Sequence, residues 1–335
     1  IRGVIGRASQ FLVFPIISLV LLLASVPQAH AISARPGLFQ DEQPGGATVT
    51  LRVRGDEHFN WIEDEQGYTV VHNKGWYEYA RLNTQGKLVP TGLKVGLNNP
   101  RAKGLNPGIL PSSAQRAASA KNSTDASVQN VQASVPSGTM QNLVVLIQFS
   151  NHVGRALPST TDVDVLFNAP GGDATLAPTG SVRDVYLQNS YGQFELNSTV
   201  APWITVSGTE QYYANGESGD STLWEAFREA LTELDRTTDF SQYDLNNDGF
   251  IDSIAFLHSG YGAEWGNRDV DDTIWSDRIW SHKWEMSPVW TSEEGVKVGK
   301  YHISPALWGT SGDRIGRIGV IAHETGHFLG LPDLY

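Results

Sequence analysis

The stretch His323-Glu324-Thr325-Gly326-His327-Phe328-Leu329-Gly330-Leu331-Pro332-Asp333 reads H-E-x-x-H-x-x-G-x-x-D. Two histidines four apart on a helix lie one turn above each other and can hold one metal ion from the same face. The Glu between them then stands beside that metal, placed to act as general base toward an attacking water. Ile318, Ile321, Ala322, Thr325, Phe328 and Leu329 recur at helical spacing and form a largely apolar face. His323 and His327 project from roughly the opposite side. Gly330 falls where a helix C-terminus favours positive φ, and Pro332 forbids the helix to resume. The chain then turns back and brings Asp333 up as a candidate third ligand, with a Glu or His beyond Tyr335 as the competitor.

A surface helix carrying two His and one Glu by accident is the bland alternative. H-E-x-x-H alone arises by chance in roughly one chain of this length in a hundred, and the added Gly and Asp lower that by about two orders of magnitude. The metal-site reading therefore prevails.

This terminal run stands with three others: Ser181-Val182-Arg183-Asp184-Val185-Tyr186 through Ser190-Tyr191-Gly192-Gln193-Phe194, Tyr243-Asp244 through Asp252, and Ile279-Trp280-Ser281-His282-Lys283-Trp284. Together they resemble the immune inhibitor A family of secreted bacterial zinc metallopeptidases, across most of the chain after its first thirty residues. The resemblance implies a zincin-like, metzincin-like fold with His323, His327 and Asp333 as zinc ligands and Glu324 as the catalytic base. It also implies a Met-containing turn beneath the metal, which would lie beyond Tyr335, so the likeness is to a C-terminally incomplete copy.

The chain has 335 residues, 40% of them hydrophobic, enough for about two domains. A net charge of −12 disfavours nucleic acid and anionic lipid as partners. With no cysteine, disulfides, thiolate catalysis and Cys-ligated zinc are excluded. Arg2 and Arg7 precede an apolar run and Ala29-His30-Ala31, an A-x-A pattern. Residues 1–31 are expected to be a secretory signal, giving an extracellular protein with no membrane span in its mature form.

Residues 32–97 are expected to form a small, mostly β propeptide domain, with strands at 48–53, 59–63, 68–72 and 76–82. Residues 98–138, rich in Pro, Ser, Ala, Asn and Gln, are expected to be a disordered linker, the layout of a zymogen. From 139 to 335 the pattern becomes α/β (α+β): buried strands at 143–147 and 253–258, a strand at 194–200, helices at 182–189 and 223–234, and the metal-site helix. A mixed sheet with an active-site helix is the expected catalytic domain.

Asp244, Asn246, Asp248 and Asp252 alternate around Gly249, and the Phe250 carbonyl adds a further donor, the spacing of a calcium loop. A full EF-hand needs Glu at position twelve, where Ala255 stands, so an Asx-rich turn is the bland alternative. Residues 265–290 are dense in Trp and Asp and read equally as a cleft wall near a second cation or as a core patch under a long loop. His258, at a strand end, is expected to be structural; His282 is a candidate oxyanion or loop-positioning donor.

The resulting expectation is a zinc endopeptidase that acts on extracellular proteins or peptides and is restrained by its own propeptide. The alternatives are a zinc hydrolase acting on cell-wall peptides and a calcium-dependent secreted adhesion module.

Overall fold

A computed structural model of the chain describes residues 33–116 and 137–331. The segment read as a signal peptide, residues 117–136 of the expected linker, and Asp333 lie outside the described residues.

Six strands come first: β1 (Phe39–Glu42), β2 (Thr48–Gly55), β3 (Asn60–Asp64), β4 (Thr69–Asn73), β5 (Trp76–Leu82) and β6 (Leu88–Lys94). They form one antiparallel sheet in sequence order. Alternation along β2 buries Val49, Leu51 and Val53 on one face, as a half-buried antiparallel strand requires. That face does not close on itself. Its apolar cluster is completed by Ala263, Ile274, Trp275 and Trp280 from the loop at residues 262–281. Asp41 accepts a hydrogen bond from Tyr77 and pairs with Arg268 of the same loop at 2.8 Å.

Residues 98–116, expected to begin a disordered linker, instead follow this sheet. Gly108 N–H donates to the Gly67 carbonyl, Thr69 Oγ1 to the Ile109 carbonyl, and Gln115 Nε2 to the Gln85 carbonyl. Leu105 packs on the shared cluster. Anchor points of this kind offset the ordering cost that composition alone leaves uncovered.

The second sheet has the order β10-β11-β9-β7-β8. Its strands are β7 (Gly138–Gln148), β8 (Phe194–Thr205), β9 (Ile254–Tyr261), β10 (His282–Thr291) and β11 (Lys297–Leu307). β8, β7, β9 and β11 run parallel, and β10 closes the far edge antiparallel to β11. β7 lies inside the sheet between β9 and β8, and both its faces are covered. Leu143, Val145 and Ile147 enter one apolar cluster and Val144 and Leu146 the other. A side chain sealed in this way contributes about 1.5–3 kcal/mol relative to leaving it in water.

Helices cover both faces. α1 (Thr160–Asn168), α2 (Val182–Asn189) and α5 (Ile318–Phe328) pack on the Val144 side. α4 (Leu223–Leu234) packs on the Val145 side, while short α3 (Glu210–Ala214) leads into it. The expected mixed α/β architecture is therefore present. Of the Trp-rich stretch, Trp275 and Trp280 are buried beneath the N-terminal sheet, where they act as core.

Candidate metal centre

α5 forms where its periodicity demands. Ile318, Ile321, Thr325 and Gly326 are buried against the sheet. Its start is tied down by Arg317, which donates to the Thr175 and Leu176 carbonyls. Its end is a Schellman turn, with Gly330 at φ 83°, Gly330 N–H on the His327 carbonyl and Leu331 N–H on the Gly326 carbonyl.

This turn bears directly on the chemistry. It brings the Leu331 carbonyl to 3.0 Å from His327 Nδ1. A carbonyl only accepts, so Nδ1 carries a proton; in the neutral imidazole this leaves the lone pair on Nε2. That nitrogen faces His323 Nε2 at 2.9 Å. Burial, with His327 beside it, holds the His323 imidazole down to about 4, so it is neutral near pH 7. Two imidazole nitrogens converging from one helical face suit zinc. Glu324, between them, is fully buried. Among the described residues no three His, Asp or Glu side chains converge closely enough to hold an ion. The expected third ligand, Asp333, lies outside those residues.

The back of α5 is held by groups that the motif does not announce. Thr325 Oγ1 donates to the Ile321 carbonyl at 2.7 Å and lies 3.2 Å from His302 Nε2 on β11. His302 is fully buried, and burial holds its imidazole down to about 3. Tyr186 on α2 donates to the Ala322 carbonyl at 2.5 Å. Only the alternation of β11 offered a signal for His302, since Tyr301 and Ile303 point to the opposite face.

The acidic loop at residues 244–252 turns its carboxylates onto backbone groups. Asp244 accepts from the Asp248 and Gly249 N–H groups, Asn246 from Asp248, Asp248 from Phe250 and Asp252 from Leu245. This is Asx-turn geometry. Burial, then the neighbouring Asp244 and Asp248 charges, raises the Asp252 carboxyl. Asp269, Asp271, Asp272 and Asp277 likewise form no three-residue cation cage among the described residues.

His282 is buried in a satisfied relay: Nδ1 to the Trp280 carbonyl at 2.8 Å, Nε2 to Tyr301 Oη at 3.0 Å, with Trp224 Nε1 donating to that same Oη. His258 is fully buried and lies 3.8 Å from Glu210. Glu210 also lies 3.6 Å from His152 Nε2, and His152 Nδ1 stands 3.0 Å from Ser259 Oγ. A serine, an imidazole and a carboxyl in line resemble a nucleophile relay, but Ser259 and Glu210 are sealed from solvent, and Ser259 Oγ accepts from Phe149 N–H. No substrate reaches them.

Converging imidazoles on one helix face, with a buried Glu between them, are the arrangement of an H-E-x-x-H metal-site helix. Residues 164–335 match the model of the immune inhibitor A peptidase M6 catalytic domain, and the chain belongs to this family. Immune inhibitor A of Bacillus thuringiensis subsp. alesti is 31% identical over 181 residues, 46% of this chain and 25% of that protein. The pre-pro-metalloprotease PrtV of Vibrio cholerae serotype O1 (strain M66-2) is 29% identical over 212 residues, 51% of this chain and 21% of that protein. The chain thus spans about a quarter or less of the length of the curated relatives it matches.

Proposed function

We propose that the chain is the metal-binding part of a secreted zinc endopeptidase, with His323, His327 and Asp333 holding zinc and Glu324 acting as general base. The observation that carries this is the 2.9 Å approach of the two Nε2 atoms, with the His327 tautomer fixed by the Leu331 carbonyl. Zinc bound there supplies a Lewis acid for a peptide carbonyl and makes water a nucleophile near neutral pH. Glu324 accepts the proton of the attacking water and returns it to the departing amine. Glu324 is fully buried within α5, in the same helical turn as the two imidazoles.

The zincin-like fold is supported by family membership and by the helix packed on a mixed sheet. The six-stranded sheet at residues 39–94 is the propeptide in this reading, a partner supported by the core it shares with the loop at residues 262–281. Export is supported by the likeness to a relative that is a pre-pro-metalloprotease. Among the described residues no helix is long and apolar enough to cross a membrane. The loop at residues 244–252 takes calcium if Asp244, Asp248 and Asp252 turn from backbone N–H groups toward a common centre.

The test is Glu324→Gln. This variant should bind zinc as the wild type does yet cleave peptide at least about 100-fold more slowly. Peptide cleavage at the wild-type rate by the purified variant would sink the assignment.

A further inference from the structure

We propose that Tyr186 is a positioning residue for the metal-site helix, fixing α5 through the Ala322 carbonyl and so setting where His323 and Glu324 stand. The inference deepens the metallopeptidase reading and rests on it.

Tyr186 and Ala322 are 136 residues apart, on different helices, and their hydrogen bond at 2.5 Å links a side chain of α2 to the backbone of α5. Within α5 the Ala322 carbonyl also faces the N–H of Gly326. The phenol therefore adds a second donor to a carbonyl that helix formation already uses, so its role is to locate the helix, not to complete it. Ala322 immediately precedes His323, and a shift at its peptide moves both His323 and Glu324.

The anchor itself is rigid. α2 begins in a capping box: Ser181 Oγ accepts from Asp184 N–H, and Asp184 Oδ2 accepts from Ser181 N–H. The Tyr186 ring is buried and meets Phe194 of β8 edge-on, at 6.1 Å and 88°. Burial, with the Glu324 carboxylate close by, raises the Tyr186 phenol above its ordinary value, so it stays a donor throughout the working range. Thr325, one turn on, bonds back to the Ile321 carbonyl within α5 and lies 3.2 Å from His302 Nε2 on β11. α5 is thus held at the Ala322 carbonyl by α2 and at the Thr325 side chain by β11, which restrains both rotation and sliding of the helix. A metal site needs that precision from its supports.

Tyr186→Phe keeps the ring and removes only the donor. In the zinc-loaded full chain, kcat on a peptide substrate should fall about tenfold while KM stays within about twofold, because only the geometry of the reacting groups is disturbed. In the metal-free chain, amide hydrogen exchange across residues 322–327 should accelerate about fivefold while that of α4 stays unchanged. A kcat within about twofold of wild type together with unchanged exchange in α5 would overturn the proposal. Equal acceleration in α4 and α5 would also overturn it, because the tyrosine would then only pack. If the wild-type chain neither holds zinc nor cleaves peptide, the metallopeptidase reading fails. The exchange measurement still decides whether Tyr186 fixes α5.

Discussion

The Leu331 carbonyl stands 3.0 Å from His327 Nδ1, and it is there because Gly330, at φ 83°, turns the chain back over the end of α5. One glycine thus sets both the stop of the helix and the tautomer of a candidate ligand. Gly330 has open space around its Cα, so a substitution there is opposed by backbone conformation alone. Gly330→Ala should cost about 1 kcal/mol in thermal or urea unfolding. The displaced carbonyl should weaken zinc about tenfold in competition with a chromophoric chelator. Unchanged zinc affinity would mean that Leu331 does not orient His327.

The end of α5 was legible in sequence because its determinants are local: a 3.6-residue period, a glycine at the turn and a proline after it. Helices at 182–189 and 223–234 and the strand at 76–82 were legible for the same reason, and their observed bounds coincide with the expected ones. β6 and β10 were not. Each holds a proline, Pro90 or Pro288, which argues against a strand, and each is tolerated because it lies at a sheet edge. Supports that join distant segments were also hidden. No local pattern pairs His302 with Thr325, or Glu210 with His152 and His258, because the sheet topology creates those contacts.

Glu210 gives a pH-dependent prediction. Burial raises its carboxyl from 4.5 to about 8, against the lowering pull of Arg278 and Arg155 and with Asp269 adding to the rise. Facing it are His152, held near 4 chiefly by burial, and His258, held well below its ordinary value for the same reason. The folded state therefore binds this proton more tightly than the unfolded chain does. That contribution is complete below about 4.5 and is lost as pH rises through about 8, on the order of 1 kcal/mol per pH unit. Glu210→Gln should flatten this decline, so the variant's urea midpoint exceeds the wild type's at pH 8.5. Parallel pH profiles for the two proteins would refute it. Gly260 must stay glycine in both, since a Cβ there would fall 1.9 Å from Glu210 Oε1.

The Arg268 and Asp41 pair fastens the N-terminal sheet to the loop that carries Trp275 and Trp280. Asp41 is nearly buried and accepts from both Arg268 Nε and Tyr77 Oη. Arg268→Ala removes its cationic partner and should destabilise the sheet by about 2 kcal/mol. Hydrogen exchange at residues 39–55 should rise selectively, while β7 and β9 keep their protection. A uniform rise across both sheets would show that the two unfold as one unit and that the pair is no local fastener.

Calcium is tested at Asp248, whose side chain is exposed and accepts from the Asn246 amide and the Phe250 N–H. Asp244, Asp248 and Asp252 crowd enough charge together to raise the Asp252 carboxyl, after burial, and a bound divalent cation would relieve that repulsion. A ligand that binds only the folded state at 100 times its dissociation constant contributes about 2.7 kcal/mol. Calcium should therefore raise the wild-type melting temperature by about 5 °C or more. Asp248→Ala should leave the calcium-free melting temperature nearly unchanged and abolish that response. A wild-type chain indifferent to millimolar calcium would leave the loop as what its hydrogen bonds already make it, an Asx turn leading into β9.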